Sequence, residues 1–268
     1  MLKNRILNHV NYLHYQYLIK VNKLIKSQRK NPLSIPIIII NFNQLFYLKQ
    51  LVDFLINRGF ENIVIIDNLS TYPPLLEYYK IIESKVKVEY MNDNYGHKVF
   101  FESEILQRKY GKGYYVLTDA DIVPNEKLPI DFMEKMIKYL DKYFKRVTKV
   151  GFALKIDDIP NNYSLKEKVI KWEKRFWDNP VEKDVYLNWL DTTLAIYKPN
   201  YPSLFNDISY LNGIRVGNNF TAKHGGWYIN NLNLTDEQKF YFDTVNSSSS
   251  WSLDSNGEHA SNEYDKFL

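Results

Sequence analysis

The chain has 268 residues, of which 45% are hydrophobic and 25% are charged, a composition that excludes wholesale disorder and favours one globular domain. It contains no cysteine, which excludes disulfides, thiolate zinc sites and a cysteine nucleophile and fits a reducing cytoplasm. Residues 1–52 carry eight lysines and arginines and no acid, which leaves 27 basic against 31 acidic residues elsewhere. The basic character belongs to one end, so nucleic-acid binding by bulk charge is not expected.

The N-terminal segment, residues 1–32, is predicted to form a basic amphipathic helix. Its apolar residues recur at helical spacing: Leu2, Ile6, Val10, Leu13, Tyr17, Val21 and Leu24. This stripe either packs on the body of the domain or lies in the plane of a membrane, with nearby lysines facing anionic headgroups. No run is long enough to span a bilayer and no signal-peptide pattern follows the basic start, so we expect a cytoplasmic protein. Packing on the body is the favoured interpretation of the stripe, and peripheral membrane contact is the alternative.

Short apolar runs alternate with amphipathic stretches after Pro36, which predicts an α/β domain over residues 33–246. The predicted strands are 37–40, 63–66, 86–90 and 114–118, and the predicted helices between them are 45–57, 74–83 and 99–110. Strands rich in Ile and Val that are joined by helices indicate a parallel sheet covered on both faces.

The second half of the chain has a weaker pattern. It predicts helices over residues 131–144 and 165–177 and strands over residues 150–156 and 190–197. Its aromatic residues suit either core packing or a sugar-binding cleft, and they include Trp172, Phe176, Trp177, Trp189 and Trp227. The Ser-rich segment 247–268 is predicted to be a mobile tail.

Polar residues follow the predicted strands, where parallel sheets bind ligands. Asp119 and Asp121 end the fourth strand at positions i and i+2, so their side chains point the same way. Paired carboxylates suit Mg²⁺ or Mn²⁺, which typically also binds substrate phosphates.

Three segments resemble nucleotide-sugar-dependent glycosyltransferases of the GT-A fold, particularly the family 2-like group, over roughly residues 35–125. They are the strand 63–67 with residues 68–71, the turn 94–96, and residues 117–121 with the Asp-x-Asp motif. The resemblance implies a Rossmann-like, mostly parallel central sheet with helices on both faces, preceded here by the N-terminal helix. Leu69 departs from the family, which more often has glycine or a small polar residue there.

The resemblance also implies a donor site. Its nucleotide-sugar-binding residues would be Asn41, Asn43, Asp67, Ser70, Asn94, Gly96 and Asp119. Asp67 would accept a hydrogen bond from a base imide, and Asp121 would bind the metal directly, with Asp119 near the ribose and metal.

His224 resembles the C-terminal histidine that many GT-A enzymes use as a further metal ligand, although an ordinary hydrogen-bonded histidine is the alternative. Gly225 and Gly226 after it would let the backbone approach a phosphate. Lys223 and Arg215 could neutralise the diphosphate leaving group.

Glycosyl transfer with inversion needs a base near the acceptor hydroxyl. Asp191, at the start of a predicted strand, is the first candidate and Asp157 the second, while local capping by Asp191 is the alternative. The Glu-Asp pair that commonly marks the base of inverting members is not evident, so inversion and retention both remain open.

The sequence therefore predicts a metal-dependent hexosyltransferase of polysaccharide biosynthesis, which moves a sugar from a UDP-sugar to a glycan or lipid-linked acceptor. One alternative is a haloacid-dehalogenase-type phosphatase, with Asp119 as nucleophile, Asp121 handling the proton, and Lys155 and Asp157-Asp158 as partners. A nucleotidyltransferase would need a glycine-rich loop, which residues 41–44 lack. The non-catalytic alternative is a glycan- or nucleotide-binding module.

Overall fold

The structure, a computed structural model, describes residues 2–246, 249 and 251 of the chain. The predicted mobile tail therefore lies outside the described residues, except for Ser249 and Trp251. Both of these side chains are buried against the body of the protein.

The central feature among the described residues is a nine-stranded sheet in the order β3-β2-β1-β4-β9-β6-β10-β8-β7. Seven of these strands run in one direction, and β8 and β9 run against them. A separate pair joins β5 and β11. The strands are β1 (Ile37–Asn41), β2 (Ile63–Asp67), β3 (Val86–Tyr90), β4 (Tyr115–Asp119), β5 (Ile122–Pro124), β6 (Lys149–Phe152), β7 (Pro180–Glu182), β8 (Val185–Trp189), β9 (Ala195–Tyr197), β10 (Asn212–Val216) and β11 (Ala222–His224).

Helices cover both faces of this sheet. They are α1 (Leu2–Val21), α2 (Lys23–Lys30), α3 (Phe46–Asn57), α4 (Pro73–Ile82), α5 (Val99–Glu102), α6 (Glu104–Tyr110), α7 (Phe132–Tyr143), α8 (Lys166–Lys174) and α9 (Asp236–Thr244). Ile37 and Ile39 of β1 pack with α3, α4 and α7, whereas Ile38 and Ile40 pack with α5 and α6. This arrangement confirms the predicted α/β class with a large, mostly parallel sheet and is consistent with a GT-A-like fold.

The first four strands begin and end within one residue of their predicted bounds. The predicted helix 99–110 is divided at Ser103, whose hydroxyl accepts a hydrogen bond from the backbone of Leu106 and caps α6. Serine competes for backbone groups in this way, so it favours a helix start over a helix interior.

The second half differs more from its prediction. The predicted strand 190–197 was wrong over residues 190–194, because β9 begins only at Ala195. Leu194 has φ +51°, a left-handed conformation that interrupts an extended strand. Strands β7, β8, β10 and β11 and helix α9 were not predicted.

The N-terminal segment forms two helices that meet at Asn22, whose side chain caps α2 by accepting a hydrogen bond from the backbone of Ile25. The interpretation that the apolar stripe packs on the body was wrong for the described side chains of this stripe. Ile6, Val10, Leu13, Tyr17, Val21 and Leu24 are all exposed. Within residues 2–246, no helix combines the length and apolar character that crossing a bilayer requires.

Candidate functional site

A cavity of about 630 Å³ lies at the carboxyl ends of β1 and β4. Many of the predicted site residues lie in the wall of this cavity. These are Asn41, Asn94, Gly96, Asp119, Asp121, Asp191, Arg215 and His224. The remaining predicted site residues lie outside the cavity wall, namely Asn43, Asp67, Ser70, Asp157 and Lys223.

The backbone around Asp119 and Asp121 is fixed on both sides. Asp119 N–H donates to the carbonyl of Thr192 at 3.0 Å, and Ala120 N–H donates to the carbonyl of Ile40 at 3.1 Å. Directly after Asp121, β5 pairs Ile122 with His224 of β11. This pairing carries a histidine from a distant part of the chain to the end of β4.

His224 and Asp121 face each other at this point. The imidazole Nδ1 is 3.4 Å from Asp121 Oδ2, and the ring stacks on Trp227 with centroids 4.9 Å apart. Asp121 Oδ2 also accepts a long hydrogen bond of 3.3 Å from Gly226 N–H. His224 Nδ1 is buried and has no hydrogen-bond partner among the described residues. Two ligands about 2.1 Å from one ion and at right angles to each other lie about 3 Å apart, so this pair suits a shared cation.

Two further carboxylates, those of Asp119 and Asp191, lie near this pair. Burial raises the pKa of Asp119 well above its usual value, and the charges of Asp121 and Asp191 raise it further. The hydroxyl of Thr192 donates to Asp119 and acts in the opposite direction. We call Asp119, Asp121, Asp191 and His224 the β4 rim. Within the described part of the chain, no three acidic or imidazole groups are close enough to form a complete metal site, so other ligands would have to complete the coordination of an ion here.

Asp191 lies in the loop before β9 rather than in a strand, which corrects its predicted position. Its side chain is exposed in the cavity wall. Among the described residues, its carboxylate accepts no hydrogen bond, so it does not cap the local backbone. Asp157 lies at the surface with 78% of its side chain exposed, 3.6 Å from Lys155. Lys155 also pairs with Asp158 at 2.7 Å and does not line the cavity. It therefore does not stand beside Asp119, as the phosphatase alternative requires.

A second group of polar residues at the ends of β1 and β2 is hydrogen-bonded within the chain. Tyr79 O–H donates to Asp67 Oδ1 at 2.7 Å, and Ser70 N–H donates to Asp67 Oδ2 at 2.9 Å. Asn43 N–H donates to Ser70 Oγ at 2.8 Å, and the Asn43 side chain accepts from the backbone of the following turn. We call Asn43, Asp67, Ser70 and Tyr79 the β2 rim. Both oxygens of Asp67 are therefore already paired.

Two amide oxygens beside the β2 rim remain free. Asn41 Nδ2 donates to Tyr79, and Asn68 Nδ2 donates to the carbonyl of Gly96. The Oδ1 atoms of Asn41 and Asn68 are buried with no partner among the described residues, and both residues line the cavity. Asn68 was not predicted as a site residue, although it directly follows a strand end, where such groups are expected.

The two basic residues predicted for the diphosphate are each paired with an acid. Arg215 is 3% exposed, pairs with Glu173, and donates to the carbonyl of Trp189 at 3.0 Å. Lys223 lies outside the cavity, 3.4 Å from Asp158. Lys98, which follows the turn 94–96 and was not predicted, is an exposed cation in the cavity wall.

Aromatic rings form the far side of the cavity. Trp172, Phe176 and Trp189 lie in its wall beside the Arg215–Glu173 pair. Trp251 stacks on Tyr241 of α9 with centroids 4.7 Å apart and closes another side. A Cβ on Gly225 or Gly226 would overlap the ring of Tyr47 or Trp251, so both glycines permit close ring packing.

No protein-family model matches the chain, and no curated protein matches it in sequence. Among solved structures, it is similar to S. aureus TarS 1-349, with 14% identity and a TM-score of 0.38 over 62% of this chain and 47% of that chain. It is also similar to the mannosyltransferase PcManGT from Pyrobaculum calidifontis, solved in complex with GDP-Man and Mn²⁺. The identity is 12% and the TM-score 0.44, over 90% of this chain and 70% of that chain. This chain spans about half the length of the TarS chain.

Proposed function

We propose that this protein is a divalent-cation-dependent glycosyltransferase that moves a sugar from a nucleotide diphosphate donor, a UDP-sugar, to a glycan or lipid-linked acceptor. The observation that carries this proposal is the 3.4 Å separation of Asp121 Oδ2 from His224 Nδ1, in a cavity at the carboxyl ends of parallel strands. The raised pKa of Asp119 supports it, because nearby positive charge would relieve the crowding of carboxylates.

Asp121 and His224 would hold Mn²⁺ or Mg²⁺, with Asp119 beside them. Both cations accept carboxylate oxygen, and Mn²⁺ also accepts imidazole nitrogen. The ion would stabilise charge on the departing nucleotide diphosphate. Because the described residues offer fewer than three close acidic or imidazole groups, phosphate oxygens and water are the expected remaining ligands.

Asn41 and Asn68 would recognise the nucleoside. Their buried Oδ1 atoms have no partner among the described residues and would gain hydrogen bonds from donor groups such as a base imide. Asp67, to which the resemblance gave this role, would instead hold the turn in place, because its oxygens are already paired. Arg215 would add little positive charge near the diphosphate, because Glu173 balances it. Lys98, in the cavity wall, would be the cation near the diphosphate instead.

Asp191 would act as the base toward the acceptor. The acceptor hydroxyl oxygen would bond to the anomeric carbon as the bond to the diphosphate oxygen breaks, and the hydroxyl proton would pass to the Asp191 carboxylate. Trp172, Phe176 and Trp189 would supply faces on which the acceptor sugar stacks.

A thermal-shift panel of nucleotide sugars, each with Mn²⁺ or with EDTA, tests the class. We expect one donor to raise the melting temperature only with Mn²⁺, since a ligand that binds the folded state stabilises it. Asp121→Asn should abolish this shift, and the matched variant Asp53→Asn, at an exposed carboxylate on α3, should retain it. Donor binding that is indifferent to Mn²⁺, without donor hydrolysis, would contradict the proposal and favour a binding module.

The base is tested with Asp191→Asn and Asp157→Asn. We expect Asp191→Asn to lower the transfer rate by about 10²–10⁴-fold while donor binding persists, and Asp157→Asn to leave both unchanged. Equal rates for the two variants would remove Asp191 from this role.

A further inference from the structure

One side of the helices α1 and α2 presents apolar residues to solvent, while Tyr15 and Ile25 on the other side are fully buried. Among the described side chains of this pair, seven apolar ones are between 45% and 61% exposed. They are Ile6, Leu7, Val10, Leu13, Tyr17, Val21 and Leu24. Five of them, from Ile6 to Val21, follow one another in α1 at intervals of three or four residues and form a stripe along its outer side. Leu24 of α2, three residues further on, is exposed as well and is counted with this stripe. Leu7 lies next to this stripe.

Other helices of the same protein have the opposite orientation. In α3, the apolar residues Leu48, Leu51 and Leu55 are fully buried, as are Met136 and Leu140 of α7. An amphipathic helix on a globular protein normally turns its apolar face to the core in this way. The outward stripe of α1 and α2 is therefore a property of this pair and not of the surface in general.

Polar contacts hold the inner side of the pair against the body. Gln28 is 2% exposed and bonds both the N–H and the carbonyl of Tyr114, at 2.8 and 2.9 Å. Arg29 makes two hydrogen bonds to the carboxylate of Asp141, at 2.9 and 2.7 Å. Tyr15 is fully buried, bonds Tyr114 at 2.6 Å and stacks on Phe144. These contacts fix the orientation of the pair, so the stripe stays outside in the folded protein.

Lysines accompany the stripe, and no acid does. Lys20, Lys23, Lys26 and Lys30 are exposed, and residues 1–52 contain neither Asp nor Glu. An apolar stripe with exposed lysines is the arrangement by which interfacial helices bind anionic bilayers. A second copy of the chain would bring the same lysines together without an acid from this segment to offset them, which disfavours dimerisation through the stripe.

We propose that the outer face of α1 and α2 docks in the plane of an anionic lipid bilayer. The apolar stripe would enter the boundary between headgroups and acyl chains, and the lysines would contact lipid phosphates. Since the docking face lies on the N-terminal helices, away from the residues that line the cavity, this inference does not rest on the proposed catalytic function.

Co-sedimentation of the full chain with vesicles tests the docking. We expect binding to vesicles of phosphatidylcholine with 30% phosphatidylglycerol, weakened by salt, and little binding to pure phosphatidylcholine. Leu13→Ser and Tyr17→Ser should each weaken binding about tenfold. Changing Lys20, Lys23 and Lys26 to Gln should weaken it about fivefold per lysine.

Matched variants separate docking from general surface effects. Ile105→Ser and Ile130→Ser remove side chains that are 71% and 79% exposed elsewhere, and they should leave vesicle binding unchanged. Changing Lys85, Lys112 and Lys127 to Gln lowers the net charge equally and should have much less effect. Failure to bind the anionic vesicles would overturn the inference, and so would an equal loss of binding in the matched variants. Light scattering that showed a dimer dispersed by Leu13→Ser, without vesicle binding, would assign the stripe to a second copy instead.

Discussion

At the carboxyl end of β2, both oxygens of Asp67 accept hydrogen bonds from the chain itself. At the carboxyl end of β4, Asp119 instead faces two further carboxylates, which together with burial raise its pKa. The β2 rim and the β4 rim lie on the same edge of one sheet and carry similar residues. They differ in how far the protein satisfies these carboxylates without a ligand, since Asp119 accepts a hydrogen bond only from Thr192 and also faces other carboxylates.

This difference separates two kinds of buried acid. A carboxylate that accepts hydrogen bonds from the chain stabilises the fold, and losing it leaves unpaired donors. Carboxylates that repel one another cost stability, and a bound cation or cationic group would offset that cost. Substitutions in the β2 rim should therefore lower stability, whereas substitutions in the β4 rim should lower activity.

The largest expected effect is that of Asp121→Asn. Transfer should fall by about 10²–10³-fold, because the charge that would hold the cation is removed. The free energy of unfolding should not fall, since Asp121 raises the pKa of Asp119 and its removal relieves that repulsion. Initial rates and urea unfolding of the variant measure both quantities. A large loss of stability with a normal rate would show that the β4 rim is structural.

Lys149 lies near the β4 rim, and its lowered pKa predicts that the stability of the protein depends on pH. Burial lowers the pKa of Lys149 to about 7, while Asp191 and Asp119 act in the opposite direction. Between about pH 7 and pH 10 the unfolded chain holds a proton on this lysine that the folded protein has lost, so stability rises with pH. Lys149→Met should remove this rise, which amounts to about 3 kcal/mol from pH 7 to pH 9.5.

Urea unfolding of wild type and Lys149→Met at pH 7 and pH 9.5 measures the difference. Lys85→Met, at an exposed lysine, is the control and should keep the wild-type rise. Parallel curves for wild type and Lys149→Met would mean that Lys149 keeps its proton across this range in the folded protein.

Asp67→Asn probes the β2 rim and should lower the free energy of unfolding by about 2 kcal/mol, because asparagine keeps one acceptor oxygen and places an NH₂ group opposite the second donor. Asp53→Asn, which removes an exposed carboxylate paired with Lys49, should cost at most about 1 kcal/mol. If Asp67→Asn abolished donor binding and left stability unchanged, the nucleoside would be bound at the β2 rim, as the family resemblance implied.

The sequence was informative where strands are parallel and fully buried. Runs such as Ile37–Asn41 and Ile63–Asp67 are apolar over four consecutive residues, so their ends were predicted within one residue. In contrast, Asn212–Val216 contains Asn, Gly and Arg, and no apolar pattern marks it as a strand. Arg215 of β10 is accommodated because it pairs with Glu173 of α8. Such a contact between two distant elements cannot be read from the local sequence pattern.

The candidate site shows the same limit. Placement after a strand was enough to indicate Asp119 and Asp121, but it could not distinguish the paired Asp67 from the crowded Asp119. That distinction depends on Tyr79, which lies on α4 and reaches Asp67 only in the folded protein. The periodicity of residues 2–25 likewise predicted a helix, but contacts in the folded protein, made by Tyr15, Gln28 and Arg29, determine which side faces outward.

The smallest expected effect concerns the turn of the β2 rim. Leu69 has φ +62° and is 49% exposed, a left-handed conformation that costs a residue with a Cβ about 1–2 kcal/mol. Glycine removes this strain but adds about 0.5–1 kcal/mol of backbone entropy to the unfolded chain, so Leu69→Gly should stabilise the protein by about 0.5–1 kcal/mol. Leu69→Ala keeps the strain and should give no gain in urea unfolding. An equal gain from both variants would trace the effect to the exposed leucine side chain. A gain from glycine alone would mean that the hydrogen bonds of Asp67 and Asn43 hold a strained turn in place, which is the structural role that separates the β2 rim from the β4 rim.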